Sequence, residues 1–106
     1  MALSIDVNDE NFAALINADE RLCLLVFHAS WCSPCKALAP TLEEVARSYG
    51  DAMQLARIDI DHATELAGRF AVRSVPTLIL FRGSKEIRRI DDRTRTRISV
   101  AIDEAL

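Results

Sequence analysis

The chain has 106 residues, half of them apolar (50%), and a formal net charge of −3, which fits one domain over its whole length with a single core. Its three cysteines are too few for a secreted disulfide scaffold, the start Met1-Ala2-Leu3-Ser4 shows no secretion-signal pattern, and no apolar run approaches the ~20 residues that cross a bilayer. A reducing, cytoplasmic setting is therefore expected, and there a Cys-x-x-Cys pair is redox-active or metal-binding more often than structural.

In chain order, Leu3–Val7 alternates like a short strand, and Asp9–Ala18 places Phe12, Leu15 and Ile16 at helical spacing behind the polar cap candidates Asn8 and Asp9. Leu22–His28 is a continuous apolar run, too short for a helix and suited to a strand covered on both faces. A helix is predicted from about Ser33 to Tyr49, closed by Gly50, with Pro40 inside it removing one donor and bending it. Met53–Asp59 reads as a strand, and Asp61 as the cap of a short helix through about Arg69. Thr77–Arg82 and Glu86–Ile90 form an antiparallel hairpin around Gly83-Ser84. The last helix carries Ile98, Ala101, Ile102 and Ala105 on one face. The order β-α-β-α-β-α-β-β-α predicts an α/β fold: a central mixed five-stranded sheet flanked by four α-helices, because parallel pairs need crossover helices.

Charge is unevenly placed. Between Arg82 and Arg97, seven basic residues stand against three acidic ones, leaving +4 locally in an otherwise acidic chain. An acidic protein partner or nucleic acid would be drawn to such a cluster. No aromatic side chain is interleaved with these arginines, so a solvated hairpin and helix start is the simpler reading, and no nucleic-acid partner is expected.

The chemistry concentrates in Trp31-Cys32-Ser33-Pro34-Cys35-Lys36, where the apolar strand meets the long helix. Spacing of i, i+3 on a helical turn brings two sulfurs within bonding reach. Cys32 falls at the helix N-terminus, where unpaired N–H groups and the positive dipole end favour a thiolate. Cys35, one turn inside, is expected to be more buried. Cys32 is then the attacking thiol and Cys35 the resolving one. Pro34 suits the first turn because its missing N–H would have no partner there. Half of a zinc site is the alternative, but the further candidates Cys23, His28 and His62 lack paired ligand spacing, so no metal is expected. Cys23, in the middle of the apolar strand, reads as a buried small hydrophobe.

Together with Ala39-Pro40 and with Val75-Pro76-Thr77 before the strand Leu78–Phe81, this segment resembles the thioredoxin family over nearly the whole chain. The resemblance implies the thioredoxin fold and a protein-disulfide reductase without a bound cofactor, recharged by an NADPH-dependent flavoprotein reductase. It implies that Trp31, Ser33 and Pro34 border the nucleophile, that Pro76 is a cis proline facing Cys32, and that the backbone at Val75 pairs with the substrate like an added strand. An ordinary trans proline opening a strand is the other reading of Pro76.

The chain also departs from the family pattern. Val26 stands where a buried Asp is usual, leaving no side-chain base there, and Arg57 replaces a Lys that would partner that Asp. His28 stands where Trp is usual, either as a tuning group and proton acceptor near Cys32 or as a partly exposed strand-end filler. Ser33 replaces a Gly, while the retained Pro34 points to a reducing poise. Lys36 follows the pair as a further tuning candidate. Ser74 and Asp91-Asp92-Arg93 replace small residues, making an apolar docking rim polar and charged. A thioredoxin-fold adaptor or co-chaperone with little turnover is the alternative from another class, and an oxidase or isomerase of higher potential is a third. A monomer acting on disulfide-containing proteins, with no membrane partner, is expected.

Overall fold

The computed structural model describes residues 3–106. Five strands form one mixed sheet: β1 (Ile5–Asp6), β2 (Leu22–His28), β3 (Met53–Asp59), β4 (Thr77–Arg82) and β5 (Lys85–Ile90), in the order β1-β3-β2-β4-β5. Strand β3 runs parallel to both β1 and β2, whereas β4 is antiparallel to β2 and β5. Three α-helices, α1 (Ser33–Tyr49), α2 (Thr64–Arg69) and α3 (Arg95–Ala105), and a π-helical turn, Ala13–Asn17, are the four expected helical segments.

The central position of β2 explains its unbroken apolar run. Leu22, Leu24 and Val26 point into a core with Leu38, Leu42 and Val45 of α1 and Ile98 and Ile102 of α3. Cys23, Leu25 and Phe27 point the other way, onto Phe12, Ile16, Leu66 and Phe70. Successive side chains of a strand face opposite sides, so a strand covered on both must be apolar at every position. Each fully buried Leu or Phe contributes roughly 1.5–3 kcal/mol relative to exposure. Tyr49 ties the two helices on one face together, its hydroxyl donating to Asp103 at 2.6 Å.

Beyond a one-residue extension of β5 to Lys85, three predicted elements differ in extent or capping. The first strand spans two residues instead of Leu3–Val7, pairing Ile5 with Ala56 and Asp6 with Arg57, with the Val7 N–H donating once more to the Arg57 carbonyl at 2.8 Å. The first helix shortens to one wide turn, closed by the Ala18 N–H on the Ala13 carbonyl at 3.1 Å. Asn8 and Asn11 cap its entry reciprocally, each side-chain oxygen accepting the other's backbone N–H at 2.8–2.9 Å. Asp61 does not cap α2. The N–H groups of Glu65 and Leu66 instead donate to the Asp9 carboxylate, at 3.3 and 2.9 Å, across 56 and 57 residues of sequence.

Helix α2 ends in a Schellman arrangement, the Val72 N–H on the Ala67 carbonyl (2.8 Å) and the Ala71 N–H on the Gly68 carbonyl (3.1 Å). Ala71 takes the left-handed position, φ +52°, where glycine is usual. The basic run between Arg82 and Arg97 is divided in space. Arg88 pairs with Glu104, Arg89 with Glu86 and Arg95 with Glu44, while Arg82 donates to the Ala105 carbonyl.

Candidate active site

Cys32 and Cys35 are joined by a disulfide, with their Cα atoms 5.3 Å apart. Cys32 is the N-cap of α1 in an extended conformation, and its Sγ accepts the backbone N–H of Cys35 at 3.1 Å. That N–H is one of the donors a helix leaves unpaired at its start, so in the reduced protein it stabilises a thiolate at Cys32. Pro34 occupies the first turn, as expected. The second sulfur neighbour comes from the segment leading into β4: Cys32 Sγ lies 3.6 Å from the Val75 carbonyl oxygen, and the Val75–Pro76 bond is cis. The Thr77 hydroxyl closes this corner by donating to the Ser74 carbonyl at 2.6 Å.

The expected order of burial is reversed. Cys32 is only 4% exposed, whereas Cys35 is half-buried. Cys32 precedes the helix and sits against the Val75 segment, while Cys35 lies on the first turn with a cavity beside it. The distinction between the sulfurs therefore rests on the N-cap hydrogen bond.

That cavity, of about 50 Å³, is lined by Cys35, Val26, His28, Leu42, Arg57 and Pro76, with Ser4, Glu43 and other apolar residues completing it. It is large enough for water. Val26 and His28 point to the same face of β2, opposite Arg57 and Asp59 in the register with β3. Val26 is buried and Arg57 exposed, and among the described residues Arg57 makes no ion pair within 4.0 Å. Burial holds the half-buried His28 imidazole below its ordinary value; the Arg57 charge acts in the same direction, and Asp59 and Asp6 oppose it. On the opposite sheet face, burial pushes the Cys23 thiol up to about 12 and keeps it unreactive.

Trp31 is 65% exposed, and its indole N–H donates to Asp61 at 2.9 Å. Asp61, a helix-cap candidate by sequence, instead orients the tryptophan beside Cys32. Nothing in sequence links positions 30 residues apart, so this pairing emerges only from the fold. Ser33, Pro34 and Lys36 are exposed on the same helix start, and Val75 and Pro76 are half-buried at the rim. The structure thus brings Trp31, Cys32, Cys35, Val75 and Pro76 to one rim, with Val26, His28 and Arg57 beside Cys35. Among the described residues, no group of three His, Cys, Asp or Glu side chains is placed to hold a metal ion.

Comparison with known proteins agrees with this geometry. The family profile described as Thioredoxin matches residues 4–104. A thioredoxin of Alicyclobacillus acidocaldarius is 36% identical, covering 82% of each chain, and one of Acidithiobacillus ferridurans is 33% identical over 94% of each. A bifunctional thioredoxin reductase/thioredoxin of Mycobacterium leprae is 40% identical over 83% of this chain, which corresponds to 19% of that protein's length.

Proposed function

The chain belongs to the thioredoxin family and is a thiol–disulfide oxidoreductase of the protein-disulfide reductase type, and we propose that Cys32 opens the exchange and Cys35 completes it. The observation that carries these roles is the Cys35 N–H directed at Cys32 Sγ, which favours negative charge on Cys32 and not on its partner. In the reduced protein the Cys32 thiolate attacks one sulfur of a substrate disulfide and expels the other as a thiolate. Cys35 then loses its proton and attacks Cys32 Sγ, forming the Cys32–Cys35 disulfide and releasing the second substrate thiolate. The substrate gains two electrons and the protein surrenders them.

His28 is the group best suited to receive the Cys35 proton. Both line the same cavity, whose other charged side chains are Arg57, which has no acceptor, and Glu43, which is exposed. The lowered affinity of His28 for protons keeps it neutral, and hence able to accept, at neutral pH. Arg57 opposes its protonation, and Val26 contributes an apolar wall in place of a base. The transfer runs through water in the cavity or by direct approach once the disulfide opens. Trp31, Ser33 and Pro34 border the incoming sulfur, Val75 offers backbone groups to the substrate chain, Pro76 shapes the rim, and Lys36 adds positive charge on the first turn.

The acting species is a monomer in the cytoplasm. An NADPH-dependent flavoprotein reductase supplies its electrons; the bifunctional thioredoxin reductase/thioredoxin, whose matched fifth is 40% identical to this chain, supports that source. The deciding experiment is mixed-disulfide trapping from the reduced protein. Cys35→Ser accumulates covalent complexes with substrate proteins and Cys32→Ser does not. Equal trapping by both variants, or by neither, overturns the assignment. Insulin reduction in the presence of dithiothreitol separates this reading from a binding adaptor, which would show almost no turnover.

A further inference from the structure

Resting on the disulfide-exchange reading above, we propose that this protein selects disulfides flanked by acidic residues, using Arg73 and Arg93 as the walls of the groove that receives the substrate chain. The groove encloses about 400 Å³ beside the redox pair and is lined by Arg73, Val75, Pro76, Asp91 and Arg93, among others. Its Val75 carbonyl is the one 3.6 Å from Cys32 Sγ, so a chain lying here presents its sulfur to the nucleophile. Arg93 also walls a neighbouring hollow of about 340 Å³ with Pro34, Ala37, Leu38 and Thr41 of α1. Arg93 therefore borders two adjoining depressions on this side of the molecule.

What singles out these two arginines is their lack of partners. Arg89 also reaches the groove wall, but it is bound to Glu86 and to the Phe70 carbonyl. Among the described residues, neither Arg73 nor Arg93 has a carboxylate within 4.0 Å, and both are exposed. The opposing charges are accounted for. Asp92 accepts the Thr94 N–H at 3.0 Å at the start of α3, and Asp61 holds Trp31 at 2.9 Å. Asp91 is the single carboxylate in the groove wall, against two unpaired guanidinium groups. An arriving Glu or Asp completes a charge pair at either wall, while an arriving Lys or Arg meets two like charges. Such rim charges act on encounter and partner choice, and salt screens them.

Peptides that each contain one disulfide, flanked by Glu, Ser or Lys, test the idea with the reduced full-length protein in single-turnover mixing. At low salt the expected order is Glu, then Ser, then Lys, with about ten-fold between the extremes, shrinking to about two-fold at 1 M salt. R73E/R93E inverts the order, and Asp91→Asn widens the wild-type Glu-to-Lys ratio. Equal rates for the three peptides, or an unchanged ratio in R73E/R93E, overturns the groove assignment while reduction of the Ser peptide keeps the exchange reading intact. Failure to reduce the Ser peptide overturns both.

Discussion

The two flanks of the disulfide are built on opposite principles. Behind Cys35 lies a cavity of about 50 Å³ with a strand wall of Val26 and His28. In front of Cys32 lies an open groove of about 400 Å³ edged by arginines. The rear flank is small and carries one imidazole, so on the roles proposed above single substitutions there are expected to change proton transfer. The front flank is solvated, where each charge is worth little by itself but the pattern sets which substrate stays. On the proposed roles, divergence at the rear is expected to alter rate and pH dependence, and divergence at the front to alter clientele.

The sharpest way to break this division is at the sulfurs themselves. Cys32→Ser is expected to remove insulin reduction altogether, at least a thousand-fold below wild type, by abolishing the nucleophile both flanks serve. His28→Gln comes next: it slows the resolving step by about ten- to hundred-fold, with the loss greatest at neutral pH, where the neutral imidazole would accept the proton. Rapid-mixing kinetics across pH check this. An unchanged pH profile assigns His28 to packing alone.

Stability measurements sharpen the rear flank further. Val26→Asp places a carboxyl against the Leu24 and Leu42 core, and is expected to cost roughly 1–3 kcal/mol in urea unfolding. Arg57, its registered neighbour on β3, offsets part of that cost. His28 contributes a smaller, pH-dependent effect. Its folded-state proton affinity is lowered, so the unfolded chain binds more protons as acidity rises. The stability it permits is complete above its unfolded value near 6.5 and declines as pH falls through the lower folded value. Thermal unfolding of His28→Gln should show a shallower fall between pH 7 and pH 5 than wild type. The smallest effect is at the edge of the front groove. Ala71→Gly relieves the left-handed strain at φ +52° and is expected to raise stability by roughly 0.5–1 kcal/mol.

The sequence was most legible where one physical rule acts alone. The unbroken apolar run Leu22–His28 announced a strand buried on both faces, and Ser33–Tyr49 with its terminal Gly50 matched α1 to the residue. It was least legible where distant groups compete for the same role. Asp61 looked like a cap and became the partner of Trp31, while Asp9, placed near the first helical segment, caps α2 across 56 and 57 residues. The arginine-rich stretch looked like one patch, yet four of its seven basic residues have partners in space.

By itself, then, the sequence determined the redox pair, its position at a helix start and the order of elements, because spacing, capping and hydrophobic period are local properties of the chain. Only the tertiary structure decided which sulfur is enclosed, which imidazole shares a cavity with Cys35 and which arginines remain unpaired at the rim. Those outcomes depend on how β2, β3 and β4 bring residues tens of positions apart into register, and on which competing partner lies closest once they do.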